Sequence, residues 1–200
     1  MKDFFTSDPH FYHTNIIKHC NRPFANAEEM NAELIKRWNS KVKPGDRIFV
    51  MGDLFFGPVR SREQVEGILK QLNGSIVLIK GNHDGAWLRH FPKTESPFPM
   101  YQYRMEKIQG QPIFMCHYAM VNWDGSHHGT WLLYGHAHED KIAYKPPNSL
   151  NVCMDLHNFY PLDFDEVKSI ILSRQPKEAI SGEDKSNESE SVRTDTQCAG

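Results

Sequence analysis

Leu78-Ile79-Lys80-Gly81-Asn82-His83-Asp84 is the stretch that decides the fold, because an aliphatic run gives way within it to three consecutive polar side chains. The run from Ile76 to Ile79 predicts a buried strand that stops at Gly81. The amide, imidazole and carboxylate that follow are poorly suited to a core, because each must be hydrogen-bonded or must bind something. A simple polar turn is the alternative interpretation of these residues.

The preceding residues complete a β–α–β unit with this strand. Arg47 to Met51 predicts a strand that ends in Gly52-Asp53. Ser61 is a suitable N-cap for a helix, which Asn73-Gly74 would end before the strand from Ser75 to Lys80 begins. Such short connections indicate parallel strands in a layered α/β fold.

Further strands and helices are predicted on both sides of this unit. Asn26 with Glu29 predicts the start of one helix, and Asp163 with Glu166 predicts the start of a last one. The remaining strands are predicted at residues 2–6, 101–108, 112–116, 130–134 and 150–154, with the second and third forming a hairpin.

Composition narrows the class of protein. The chain has 200 residues and a formal net charge of −2, so charge gives no argument for nucleic-acid or membrane binding. No apolar run approaches the ~20 residues of a membrane span, and the first residues are too polar for a signal peptide. The four cysteines are widely spaced, which indicates neither a disulfide framework nor a cysteine zinc site. We therefore expect a reduced, cytoplasmic protein without membrane contacts.

Two regions are expected along the chain. Residues 1–175 would form one domain, and residues 176–200 a disordered acidic tail. The tail contains no aromatic residue and is dominated by Ser, Thr, Asp and Glu, so it offers little apolar area to offset the entropy of ordering.

Metal-competent side chains follow strand after strand. They are Asp8, His10, Asp53, Asn82, His117, His136 and His138. Sites in α/β sheets form at the carboxyl ends of strands. Oxygen and imidazole ligands without thiolate suit manganese, iron or zinc. Seven ligands are too many for one ion with an open position, but they suit two ions that share a carboxylate, an arrangement used in phosphate-ester hydrolysis.

The order and spacing of five blocks resemble the signature of calcineurin-like metallophosphoesterases. The blocks are Asp8-Pro9-His10, Gly52-Asp53, Gly81-Asn82-His83-Asp84, His117 and Gly135-His136-Ala137-His138. Ser7 to Phe11 with Asn21-Arg22-Pro23-Phe24 is similar more particularly to small bacterial and phage members. The resemblance implies an α/β fold of four layers, an α/β/β/α sandwich, in which a hydroxide activated by two divalent metal ions attacks phosphorus. Manganese is the first expectation for those ions, with iron, zinc or nickel as alternatives.

The resemblance also implies roles for the matching residues. Asp8, His10 and His138 would hold one ion, whereas Asn82, His117 and His136 would hold the other. Asp53 would bridge both. His83 would protonate the leaving oxygen or hold a phosphoryl oxygen, and Asp84 would orient the His83 imidazole. One departure is that Leu54-Phe55-Phe56 follows Asp53, where many relatives carry a second acid.

Substrate contacts and substrate class are less constrained. Four residues are expected to contact the substrate, each with a surface or packing role as the alternative: Asn15, Arg22, His127 and His128. The function expected is hydrolysis of a small phosphodiester or nucleotide, because a nearly neutral chain disfavours long nucleic acid. The alternatives are a phosphomonoesterase or protein phosphatase, and a binding scaffold of the same fold without catalysis.

Overall fold

The computed structural model describes residues 1–56, 61–91, 95–139, 141 and 145–174. The tail predicted at residues 176–200 lies outside the described residues. No helix in the described ranges is both long and apolar enough to span a membrane.

Strands and helices alternate along the first half of the chain. The strands are β1 (Asp3–Thr6), β2 (Arg47–Val50), β3 (Ser75–Ile79), β4 (Met100–Tyr101), β5 (Tyr103–Ile108), β6 (Gln111–Cys116), β7 (Trp131–Tyr134), β8 (Ser149–Asn151) and β9 (Leu162–Asp163). The helices are α1 (Thr14–His19), α2 (Ala27–Lys41), α3 (Arg62–Leu69), α4 (Asp84–Leu88) and α5 (Phe164–Arg174). The predicted strands and helices match β1 to β3, β5 to β8, α2, α3 and α5 to within a few residues at each end, whereas β4, β9 and α4 were not predicted.

The strands form two sheets. The first has the order β4-β3-β2-β1-β9, in which β1 to β4 are parallel and β9 runs antiparallel to β1. The second has the order β5-β6-β7-β8; β5 and β6 form the predicted hairpin, and β6, β7 and β8 are parallel. The parallel β–α–β unit predicted around β2 and β3 is therefore confirmed.

Apolar side chains hold the sheets and helices in layers. Trp38 of α2 and Val65 of α3 pack against the outer face of the first sheet. Phe49 and Leu133 lie between the two sheets, where α5 also contributes Ile171. The outer face of the second sheet is covered by residues 118–130 through Trp123. Two sheets flanked by helical elements confirm the predicted α/β sandwich.

The local signals for the helix starts are also confirmed. Asn26 Oδ1 accepts the Glu29 backbone N–H at 2.8 Å and so caps α2. At α5 the capping box is complete, because Asp163 Oδ1 accepts from Glu166 N at 3.0 Å and Glu166 Oε2 accepts from Asp163 N at 2.8 Å. These caps fix where each helix begins.

The loops after the parallel strands meet at one end of both sheets. Asp8 N donates to Gly52 O at 3.0 Å, which joins the loops after β1 and β2. Gly135 N donates to His117 O at 2.9 Å, which joins the loops after β7 and β6. A parallel bridge between Ser7 and Cys153 connects the first sheet to the second. Six of the seven predicted metal ligands lie on these connected loops, and the seventh, Asn82, lies on the loop after β3.

Candidate metal centre

Asp8, His10 and His138 form one group of metal-competent atoms, all within 4.8 Å of one another. Asp8 Oδ1 lies 3.7 Å from His10 Nε2 and 3.9 Å from His138 Nε2, too far for hydrogen bonds. Asp8 Oδ1 and both ring nitrogens of His10 are buried and have no hydrogen-bond partner among the described residues. Buried polar atoms without partners are costly, so this group is arranged for a ligand.

Asp53, His117 and His136 form a second group of the same kind. His117 Nδ1 lies 2.6 Å from Met51 O, a contact that requires the proton on Nδ1. In the neutral ring, Nε2 then presents a lone pair to Asn82 Oδ1 at 3.0 Å. A cation between these two atoms would satisfy both of them as acceptors.

The Asp53 carboxylate lies between the two groups. Its Oδ2 is 3.9 Å from His10 Nε2 and 3.5 Å from His117 Nε2. Its Oδ1 accepts the His83 backbone N–H at 2.9 Å, which fixes the plane of the carboxylate. Asp53 is therefore in the position that a bridging ligand would occupy.

The donor set fits divalent cations. Bonds of ~2.0–2.2 Å to nitrogen and oxygen put two ligands of one ion roughly 3–3.6 Å apart, close to the separations of the unbonded pairs here. Burial alone would raise the pKa of the Asp8 carboxyl, but His10, His117 and His138 outweigh it and hold that pKa well below its ordinary value. Burial lowers the pKa of His10. An ionised carboxylate and a neutral imidazole are the forms that bind metal.

Left-handed backbone conformations recur at the ligand positions. Positive φ angles occur at Asp8 (58°), His10 (53°), Asp53 (54°) and His136 (67°). Such conformations cost about 1–3 kcal/mol each for residues other than glycine and persist where the surroundings enforce them. They turn the ligand side chains toward one another at the strand ends, which the residue pattern alone does not reveal.

Glycines bring the loops close enough to complete the site. A Cβ on Gly81 would lie 2.2 Å from Asp53 Oδ1. A Cβ on Gly52, where φ is +92°, would lie 2.4 Å from His117 Nδ1. The glycines of the sequence blocks therefore serve the close approach of backbone to ligand side chains.

Asp84 does not orient the His83 imidazole, and the predicted role is wrong. Its buried carboxylate instead accepts four hydrogen bonds, from Asp53 N, Gly81 N and Trp87 Nε1 at 2.8, 2.8 and 2.7 Å and from Leu54 N at 3.0 Å. All its acceptor positions are directed at the backbone of the loops after β2 and β3 and at one indole. Asp84 therefore holds these two loops together.

His83 lies at the rim of the centre. Its Nε2 is 3.9 Å from Asp53 Oδ2, and its side chain is 37% exposed. Phe56 packs between two imidazoles, with ring centroids 4.2 Å from His83 and 4.0 Å from His13. Burial and the neighbouring His10 and His83 lower the pKa of His13 to about 3. An aromatic rim formed by Phe56 and the imidazoles of His13 and His83 thus borders the ligands.

Arg22 does not face the predicted substrate position. Its guanidinium is buried and pairs with Asp155, with Nε 2.8 Å from Oδ1 and Nη2 2.7 Å from Oδ2. Asp155 Oδ2 in turn accepts from His138 Nδ1 at 2.8 Å. The expected phosphate contact is corrected to a structural one behind the ligands. Sequence reasoning missed Asp155 as a site residue, although it follows a predicted strand as the ligands do.

His127 and His128 lie at the other end of the second sheet, so their predicted substrate contacts are also wrong. The turn that carries them leads to Gly129, whose carbonyl accepts from Gln111 at the beginning of β6. His117 follows the end of β6, and a strand of this length spans roughly 17 Å. Asn15 is exposed in the first turn of α1, and its substrate contact stays a prediction.

Comparison with known proteins identifies the family of the chain. Residues 1–174 match the family model of the calcineurin-like phosphoesterases. The chain is 35% identical over 179 residues to an uncharacterized protein of Methanocaldococcus jannaschii, covering 85% of this chain and 91% of that protein. It is also 35% identical over 81 residues to the gene 66 protein of Mycobacterium phage L5, covering 40% and 39% of the two chains.

A solved structure shares the fold. A protein of unknown function from Aquifex aeolicus superposes with a TM-score of 0.65 at 20% identity, covering 84% of this chain and 98% of that one. The family match over residues 1–174 shows that the chain belongs to the calcineurin-like phosphoesterases, which are metal-dependent phosphoric ester hydrolases.

Proposed function

We propose that this phosphoesterase binds two divalent cations, manganese first among them, and hydrolyses a small phosphodiester or nucleotide. The observation that carries the proposal is the position of Asp53 Oδ2, 3.9 Å from His10 Nε2 and 3.5 Å from His117 Nε2. One ion would be held by Asp8, His10 and His138. The other would be held by Asn82, His117 and His136, with Asp53 common to both.

The chain's own side chains bind and orient the substrate around these cations. When bound, two divalent ions lower the pKa of a water molecule and offset the charge of phosphoryl oxygens. His83 at the open rim donates its Nε2 proton to the leaving oxygen. The Asp53 contact to His83 N keeps that ring at the edge of the centre.

The aromatic rim supports a small organic ester as the substrate. Phe56 is half-buried between His13 and His83 and offers a planar apolar surface next to the ligands. Such a surface suits a base or another ring attached to the phosphate. The nearly neutral net charge also gives no electrostatic support for binding of long nucleic acid, which depends on several phosphate contacts by Lys and Arg.

The direct test compares bis(p-nitrophenyl) phosphate with the monoester after chelation and return of Mn²⁺. Diester hydrolysis that depends on the returned metal, with two ions bound per chain, is expected. Hydrolysis of the monoester alone would replace the diester proposal with a phosphomonoesterase. Absence of bound metal and of both activities would favour a scaffold without catalysis.

His83→Ala tests the proton donor. We expect both ions to remain bound and the rate to fall by ~10²–10⁴-fold with an alkoxide leaving group, the usual contribution of a positioned acid. The loss should shrink with nitrophenolate, which hardly needs a proton. His127→Ala, at the far end of the sheet, is the matched control and should leave the rate unchanged. Equal losses with both leaving groups would contradict proton donation by His83.

A further inference from the structure

We propose that Asp155 and Arg22 are positioning residues for one of the two cation sites, the site formed by Asp8, His10 and His138. The inference rests on the proposed two-ion function. It predicts that loss of either residue weakens the binding of one ion and leaves the binding of the other unchanged. Neither residue is among the metal ligands described above.

Asp155 determines which nitrogen of His138 is free to bind a cation. Asp155 Oδ2 lies 2.8 Å from His138 Nδ1, and an ionised carboxylate only accepts hydrogen bonds. The proton of the neutral imidazole is therefore on Nδ1. Its lone pair is then on Nε2, which lies 3.9 Å from Asp8 Oδ1. A carboxylate that orients a ligating histidine in this way also raises the basicity of its free nitrogen.

Arg22 in turn fixes the Asp155 carboxylate. The two side chains form a bidentate pair of 2.8 and 2.7 Å, with side-chain exposures of 0% for Arg22 and 6% for Asp155. A buried pair of this geometry admits one orientation, because rotation of the carboxylate would leave a buried charge without its partner. The direction of the His138 ring therefore depends on Arg22 as well.

The same guanidinium reaches the turn that carries the other two ligands. Arg22 Nη2 donates to Asp8 O and Nη1 to Pro9 O, each at 2.8 Å. These carbonyls belong to the turn in which Asp8 and His10 have positive φ angles of 58° and 53°. One buried cation thus contacts the backbone of this turn and, through Asp155, the His138 ring.

The second group of ligands has a different support. His117 is held by Met51 O, and Asp53 by His83 N. Within the described part of the chain, the hydrogen bonds of Arg22 and Asp155 reach no ligand of this second group. Disruption of the pair should therefore affect the two sites unequally.

The experiment is a Mn²⁺ titration of the full-length protein, with the free ion followed by electron paramagnetic resonance. In Asp155→Ala we expect one of two ions to bind ~10–100-fold more weakly, the usual effect of losing such an outer partner, and the other to bind unchanged. Asp155→Asn keeps an acceptor for His138 Nδ1, so its affinity for that ion should fall less. Arg37→Gln is the control, because Arg37 lies 5.5 Å from the Phe159 ring that Arg22 also faces at 5.6 Å.

A second readout needs no metal. Long-range ¹H–¹⁵N NMR spectra of the metal-free protein should show His138 protonated on Nδ1 in the wild type and in Arg37→Gln, but as a mixture of tautomers in Asp155→Ala. If that variant does not fold, the His138 tautomer is measured instead in the double variant Arg22→Met with Asp155→Leu, which removes both buried charges together.

The outcomes separate the two proposals. Unchanged affinity for both ions, or equal weakening of both, would overturn the positioning role. A wild type that binds a single ion would overturn the two-ion function and the unequal weakening expected from it. The orientation of His138 by Asp155 would then be decided by the tautomer alone, and a tautomer that does not change in Asp155→Ala would overturn that as well.

Discussion

Asp84→Asn tests whether Asp84 holds two loops together or acts through His83. The wild-type carboxylate accepts from Asp53 N and Gly81 N on Oδ2, and from Leu54 N and Trp87 Nε1 on Oδ1. Asparagine keeps one oxygen and places an amide NH₂ against the other two donors. Two hydrogen bonds to a charged acceptor are then lost, each worth ~1.5–3 kcal/mol. The expected loss in the free energy of unfolding is therefore ~3–6 kcal/mol.

The assay is urea unfolding of the metal-free proteins, followed by tryptophan fluorescence. Removing metal first ensures that a lower stability does not simply reflect loss of bound ions. Asp124→Asn changes an exposed aspartate in the segment over the second sheet and should stay within ~0.5 kcal/mol of the wild type. It controls for the general effect of removing one negative charge.

One result would refute the structural role. If Asp84→Asn unfolds within ~0.5 kcal/mol of the wild type yet hydrolyses esters of poor leaving groups much more slowly, Asp84 acts through His83 as the sequence suggested. Lower stability with normal dependence on the leaving group supports the loop-holding role. The two readings thus differ in both stability and kinetics.

Three further changes have outcomes that follow from the geometry. Asp53→Asn should abolish activity and sharply lower metal content by elemental analysis, because both groups of ligands face this carboxylate; wild-type metal content would contradict a bridging role. Gly81→Ala would place a Cβ 2.2 Å from Asp53 Oδ1 and should lower metal content and stability, whereas Gly85→Ala, with nothing within 4 Å, should do neither. Burial lowers the pKa of His157 in the folded protein, so the unfolded chain takes up a proton first as the pH falls below ~6.5. Urea unfolding should therefore show a larger stability loss from pH 7.5 to 5.5 in the wild type than in His157→Gln, and parallel losses would contradict this assignment.

The candidate ligands could be selected from sequence because one rule located most of the residues that the structure brings together. Polar residues directly after a predicted parallel strand converge at one edge of a sheet, which brought Asp53 and Asn82 together with Asp8. The same rule applies to Asp155, which follows β8, but Asp155 was not predicted as a site residue. The fold followed from equally local signals, such as the Asn26 cap and the aliphatic run of β3.

The roles of the charged neighbours could not be obtained in this way. Whether Asp84 faces an imidazole or four N–H groups depends on how the backbone turns at Asp53 and Gly81, and φ angles such as +54° at Asp53 leave no mark in the residue pattern. Likewise, the direction of the Arg22 side chain depends on Asp155, 133 residues away. Contacts over such distances in sequence arise only after the two sheets have packed.

The error at His127 and His128 has a different origin, because the sequence-based predictions contradicted each other. If His117 and His136 are ligands at the carboxyl ends of β6 and β7, those strands are parallel and the connection must return to the start of the sheet. Residues immediately before β7 then lie at the end remote from the site. Loops that follow strands lie beside the candidate metal centre, and among their described residues Phe56 after β2 and the 44% exposed Tyr118 after β6 are side chains to test for the pocket wall.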